Sequence, residues 1–157
     1  MKNEELAYIS GFLDGDGCIT VQLVSRKDYL LGYQIRTSII FYQSKKYVKY
    51  LSQLKNLFNT GYVRNRKDGI SEYNIVGHSA VKNVLEVLLP YIRIKNNQAL
   101  LALDIINSIQ SYGGKLQPTD LVNLAKKVDK FSELNYSKKR SITSETVIKF
   151  LQEKQLL

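Results

Sequence analysis

Apolar residues along this chain switch between a helical period and a period of two, and the switches mark its elements. Leu6, Ile9 and Leu13 recur at helical spacing in EELAYISGFLDGDGCI (residues 4–19), which predicts an amphipathic helix facing a core. Asn3 is placed to cap its start, and Glu4 and Glu5 suit the positive end of the helix dipole. From Ile19 to Val24 the period drops to two, with Ile19, Val21 and Leu23 on one side and Thr20 and Gln22 on the other. Arg26, Lys27 and Asp28 form a charged turn. Residues 33–42 alternate again: Tyr33, Ile35, Thr37, Ile39 and Phe41 take one face, and Gln34, Arg36, Ser38, Ile40 and Tyr42 the other. A hairpin is therefore expected after the first helix.

Ser44 can cap a helix over 45–58, with Val48, Leu51, Leu54 and Leu57 or Phe58 on its apolar face, and Asn59-Thr60-Gly61 stops it. A second hairpin follows. Tyr62, Arg64 and Arg66 alternate with Val63 and Asn65, Lys67-Asp68-Gly69 is the turn, and Glu72, Asn74 and Val76 alternate with Tyr73 and Ile75. Helices are predicted from Ser79 to about Leu89, over 96–110, over 119–133 and from Glu145 to the end. Pro90, Tyr112-Gly113-Gly114 and the basic, hydroxyl-rich connector 135–144 separate them. The order predicts an α+β fold, αββαββα with extra C-terminal helices, in one domain over 1–157. Its two hairpins make a four-stranded antiparallel sheet backed by helices.

The first helix carries a second stripe, of small side chains: Ala7, Ser10, Gly11, Asp14 and Gly15. Glycine in a helix interior costs about 1 kcal/mol relative to alanine, so Gly11 and Gly15, one turn apart, ask for a reason. Close approach of another backbone is the best one. The stripe ends in Asp14-Gly15-Asp16-Gly17, carboxylates at a helix end beside a glycine turn. A calcium loop of the EF-hand type is excluded, because the twelfth residue counted from Asp14 is Ser25 and not glutamate.

Lys and Arg outnumber Asp and Glu 23 to 14 in 157 residues, a formal charge of +9 that points to nucleic acid or an anionic surface. With one cysteine there is no disulfide framework, and Cys18 with His78 lacks a third soft ligand for zinc. No apolar run approaches a membrane span of about 18 residues. Glu4 and Glu5 argue against a signal or transit segment. On the polar side of the predicted sheet lie Thr20, Gln22, Arg26, Gln34, Arg36, Ser38, Arg64, Arg66, Glu72 and Asn74. A solvated strand face is the ordinary reading of such a pattern. This one, however, is rich in Arg, Gln and Asn, which make bidentate contacts to guanine and adenine edges in the major groove, and Glu72 could accept from a cytosine amino group.

Residues 9–17, ISGFLDGDG, resemble the LAGLIDADG signature of homing endonucleases, with Gly11, Asp14, Asp16 and Gly17 in register. The resemblance extends over the chain, to the group with one signature per chain. FYQSKKYVKYLSQL (41–54) resembles the segment with that family's active-site glutamine, which would be Gln43. GYVRNRKDGISEYNI (61–75) is similar to its third and fourth DNA-binding strands. YIRIKNNQA (91–99) resembles the segment with its active-site lysine, which would be Lys95. LNYSKKRSITSETV (134–147) resembles its backbone-contacting C-terminal loop, with Ser137, Lys138, Lys139, Arg140 and Thr143 as the candidates. Asp28, Tyr29, Ile40 and Tyr62 complete the expected DNA-binding set. Tyr47 and Cys18 depart from the arginine and serine usual at their positions.

The resemblance implies a metal-dependent endonuclease that breaks both strands of double-stranded DNA. Asp16 and the Gly15 carbonyl would bind Mg²⁺, with Mn²⁺ able to substitute and Ca²⁺ able to bind without turnover. Gln43 would orient water and Lys95 would stabilise charge on the phosphate. One signature per chain implies a homodimer joined through Ala7, Ser10, Gly11 and Asp14, reading a pseudo-palindromic target. A strand of ~8 residues spans about 26 Å, or about 8 base pairs, so two half-sites and a gap give on the order of 20 base pairs. No membrane and no small-molecule substrate is expected. The alternatives are a maturase-like RNA-binding protein on the same fold and a DNA-binding regulator with a degenerate site. Synthesis inside a mitochondrion or chloroplast is expected, although a cytosolic protein fits as well.

Overall fold

The computed structural model describes residues 1–135 and 140–157. Among the described residues the elements are α1 (Asn3–Asp16), β1 (Gly17–Ser25), β2 (Tyr33–Ser44), α2 (Val48–Phe58), β3 (Tyr62–Asn65), β4 (Ile70–Val76), α3 (His78–Leu88), α4 (Asn96–Ser111), α5 (Pro118–Asp129), α6 (Phe131–Leu134) and α7 (Ser144–Glu153). The α+β class and the four-stranded sheet are as expected. Strand order is β1-β2-β4-β3. β4 runs antiparallel to both neighbours, pairing Phe41 with Tyr73 on one side and Val63 with Tyr73 on the other. The chain packs as two compact units, Met1–Thr20 with Thr37–Ala99, and Val21–Arg36 with Leu100–Leu157.

In the first unit the apolar side of the strands meets the helices to form the core. Ile19, Ile39, Phe41, Tyr73 and Ile75 are almost fully buried, as are Ile9 and Leu13 of α1, Leu51 and Leu54 of α2, and Val81, Leu85 and Leu88 of α3. Aromatic rings join helix to sheet: Phe12 lies 5.4 Å from Phe41, which stacks at 5.8 Å on Tyr73. The Tyr73 hydroxyl donates to the Thr60 carbonyl at 2.9 Å, so the ring brings no unpaired polar group into the core. In the second unit Leu121, Leu124 and Val128 of α5 bury with Phe131 and with Val147 and Leu151 of α7.

Several ends differ from expectation. Asn3 is the first helical residue and Lys2 occupies the N-cap without a side-chain bond. Ser44 caps a 3-10 turn, Lys45–Tyr47, by accepting from the Lys46 N–H at 3.4 Å, and α2 starts only after it. The helix expected over 119–133 is two: α5 ends at Asp129, and the short α6 follows Lys130. Gln117 and Asp120 form a reciprocal capping box at the start of α5.

Gly61, after α2, has φ +77°, and a Cβ there would run into the backbone carbonyl of Asn74. Gly61→Ala is thus expected to destabilise the chain by about 1–3 kcal/mol, read as a lower urea midpoint at unchanged slope. A midpoint equal to the parent would show that the α2–β3 turn does not need glycine.

Candidate functional site

The paired acids lie where α1 ends. Successive helical residues are about 100° apart, so Asp14 and Asp16 leave the helix about 200° from each other. Asp14 turns inward and is 8% exposed, whereas Asp16 is exposed. The Asp14 carboxylate accepts three consecutive backbone N–H groups: Arg93 at 2.8 Å and Ile94 at 3.1 Å on Oδ2, and Lys95 at 2.9 Å on Oδ1. Such a run of amides is an anion-binding concavity. The Lys95 ammonium turns back and donates to the Asp14 carbonyl. This places a cation at the negative end of α1, where the helix dipole favours it.

Ser10, one turn earlier, is also inward, its hydroxyl donating to the Leu88 carbonyl of α3 at 3.1 Å. The expectation that Ser10 and Asp14 share an outer face with Ala7 and Gly11 is therefore corrected. The small stripe divides: Ser10 and Asp14 fasten α1 within its own chain, and Ala7, Gly11 and Gly15 remain exposed. A Cβ at Gly11 or Gly15 would meet nothing within 4 Å.

Asp16 has no hydrogen-bond or ion-pair partner among the described residues, and it stands at a helix C-terminus, where the dipole disfavours an anion. That is a position suited to a cation. The donor set is partial, however: no three His, Cys, Asp or Glu side chains gather among the described residues. Asp16 and the Gly15 carbonyl can supply oxygen ligands of the kind hard divalent ions take. Gln43 ends β2 half-buried, and its amide oxygen accepts from the Ser44 N–H at 2.8 Å. The structure thus joins Lys95 to the end of α1 through Asp14, while Gln43 bonds its own neighbour.

Cys18 follows on the side of β1 that carries Thr20. Burial pushes its thiol up, and the nearby Lys95 charge opposes this. Burial, then Cys18 and Glu72, raise the Tyr42 phenol against the opposing pull of Arg66 and Arg64.

Glu72, expected to meet a cytosine, is 4% exposed and already engaged. Its Oε2 accepts from Arg64 Nη2 at 2.6 Å and Nε at 3.1 Å, and its Oε1 from Arg66 Nη1 at 3.4 Å. Arg66 Nη2 also donates to Asp68 at 2.5 Å. Glu72 therefore holds two guanidinium groups in place. Asn74 and Ser38 are buried as well; Ser38 and Thr20 share a hydroxyl pair at 2.7 Å. Gln22, Arg36, Tyr62, Arg64 and Arg66 are the open members of the polar face; Ile40 and Gln34 are half-buried.

In the second unit Arg26 is fastened to Asp28 and Gln34 and lies over the Tyr29 ring. Arg140 acts as an anchor within the chain. It is half-buried, donates to the Val128 carbonyl at 3.2 Å and lies 6.0 Å from the Phe131 ring. Burial lowers its pKa, with Asp129 acting in the opposite sense. Thr143 is a helix cap, its N–H donating to Thr146 Oγ1 at 3.1 Å at the start of α7. A cleft lined by Gln22, Arg140 and Ser141 lies beside them. Ser137, Lys138 and Lys139 lie outside the described residues. Leu30, in the first hairpin turn, is 80% exposed, and a lone leucine in a turn gives no periodic signal that would mark it.

A family model described as LAGLIDADG endonuclease matches residues 9–99. The DNA endonuclease I-CvuI of Chlorella vulgaris is 41% identical over 143 residues, 91% of this chain and 87% of that one. A crystal structure of the homing endonuclease I-CvuI with its target in the presence of calcium superposes with a TM-score of 0.91. Identity is 38%, covering 98% of this chain and 96% of that one. A second, with the I-CreI target and magnesium and its DNA not cleaved, gives 0.92 at the same identity and coverage.

The two acids should separate on mutation. Asp14→Ala leaves three N–H groups without their acceptor and is expected to cost about 3 kcal/mol or more in urea unfolding, whereas Asp16→Ala changes stability by less than about 0.5 kcal/mol. Equal losses at both positions would contradict the opposite orientations of the two side chains.

Proposed function

The chain belongs to the LAGLIDADG endonuclease family, and on that premise we propose that it is a site-specific homing endonuclease working as a two-fold homodimer. The observation that carries the reading is the exposed face of α1. Gly11 and Gly15 each cost the helix about 1 kcal/mol and serve no contact within the chain. A second α1 packing there gives them their purpose and brings a second Asp16 beside the first. The shared names of the matched relatives favour cleavage of DNA over the RNA-binding alternative.

Two Asp16 carboxylates brought together would repel, which favours a bound cation, and phosphate oxygens would add to the ligands one chain supplies. Asp16 and the Gly15 carbonyl would hold a divalent ion, Mg²⁺ by its oxygen preference. Bound there, it supplies Lewis acidity and a more acidic water. The presence of Ca or Mg in the relative's DNA complexes supports a divalent metal. Lys95, steadied by the Asp14 carbonyl, donates to the phosphate as negative charge builds on its oxygens. Gln43, on exchanging its bond to Ser44 for one to solvent, orients a water for in-line attack. The open side chains Gln22, Arg36, Tyr62, Arg64 and Arg66 read the major groove. Two-fold symmetry makes the target pseudo-palindromic.

Asp16→Asn is expected to abolish strand cleavage in Mg²⁺ while keeping duplex binding, measured on a target selected from a random DNA library; a variant that still cuts removes Asp16 from the metal site. Gly11→Leu has room within the chain and should fold, yet sediment as a monomer and cut at least about 100-fold more slowly. A dimeric, active Gly11→Leu protein would refute the α1–α1 interface.

A further inference from the structure

The tip of the first hairpin is built more tightly than a surface turn needs. Arg26 N–H donates to the Gly32 carbonyl at 2.8 Å, Tyr29 N–H to Arg26 at 3.1 Å, and Gly32 N–H to Tyr29 at 2.9 Å. Gly32 has φ +73° and lies against the Phe150 ring of α7, where a Cβ would collide. Phe150 in turn meets Tyr33 edge-on at 5.4 Å. On this fixed base the Arg26 side chain is locked. Its Nε and Nη2 donate to Asp28 at 3.0 and 2.8 Å, its Nη1 donates to Gln34 at 2.9 Å, and its guanidinium lies 4.7 Å above the Tyr29 ring. Three of the five N–H donors are engaged, which leaves two, the number a bidentate contact to guanine O6 and N7 uses. Asp28 cancels the charge of Arg26, which suits a base edge better than a phosphate. Beside it stand two exposed apolar surfaces, Tyr29 at 42% and Leu30 at 80%. Leucine can bond neither phosphate nor base edge, and in the major groove the one apolar group to meet is the C5-methyl of thymine.

We propose that this tip reads a 5-methylpyrimidine next to a guanine: Arg26 donates to the guanine while Tyr29 and Leu30 cover the neighbouring methyl group. The proposal rests on the DNA-reading face inferred above and adds the base step recognised at one place on it. Gln34 and Asp28 act as positioning residues that keep the guanidinium in the plane the guanine requires.

The test selects duplexes bound in EDTA from a random library, then remakes the winning duplex with deoxyuridine in place of the outer thymines. A T-G step should recur in each half-site. Removing its methyl should weaken binding about fourfold per half-site, the worth of one buried methyl-sized group. Leu30→Ala should bind the thymine and uracil duplexes alike, and 5-methylcytosine should bind the parent protein more tightly than cytosine at that place. A selected site without the step, equal binding of thymine and uracil duplexes by the parent, or a Leu30→Ala protein that keeps the full methyl effect overturns the proposal while leaving the DNA-reading face intact. A library from which nothing is enriched overturns both.

Discussion

A single buried carboxylate joins the parts of this site. Asp14 accepts the N–H groups of residues 93, 94 and 95 at once, so the end of α1 and the approach to α4 are one structure. Charge-assisted bonds of this kind are stronger than neutral ones, and burial keeps water from competing. The same joint draws the Lys95 ammonium to the Asp14 carbonyl. The helix rotation that turns Asp14 inward also turns Asp16 outward. Two acids one residue apart thus divide their work, one fastening the backbone and one standing open at the unfavourable end of a dipole.

A similar division runs through the polar side chains. Glu72 holds Arg64 and Arg66, and Asp28 with Gln34 holds Arg26. Arginine has many rotamers, and ordering it at the moment of binding costs affinity. Fixing it beforehand beside an acid lowers that cost and sharpens the direction in which its remaining donors point. The acid also offsets the charge of the guanidinium and so reduces its indiscriminate attraction to anions.

The exposed glycines follow from another constraint. A helix that packs only within its own chain gains nothing from Gly11 and Gly15, where a Cβ has open space. Gly17 is different, because a Cβ there would strike Leu13 at 2.6 Å as the chain leaves α1 for β1. One glycine therefore serves the fold, and two others lie on an open face of α1.

Much was legible in the order of residues alone. The change of period from helical to two marked α1, both hairpins and α2, and the alternation in β2 and β4 separated Phe41, Tyr73 and Ile75 from the polar face. The family signature singled out Asp16, and the basic composition pointed to nucleic acid. Periodicity, however, states only which residues share a side of their own element. Which neighbour arrives on that side depends on residues far along the chain. Position 10 meets position 88 and position 14 meets 93–95, so the inward turn of Ser10 and Asp14 belonged to tertiary packing. For the same reason the burial of Glu72 beneath two arginines, and the bond from Arg140 to the Val128 carbonyl, were decided only when the chain folded back on itself.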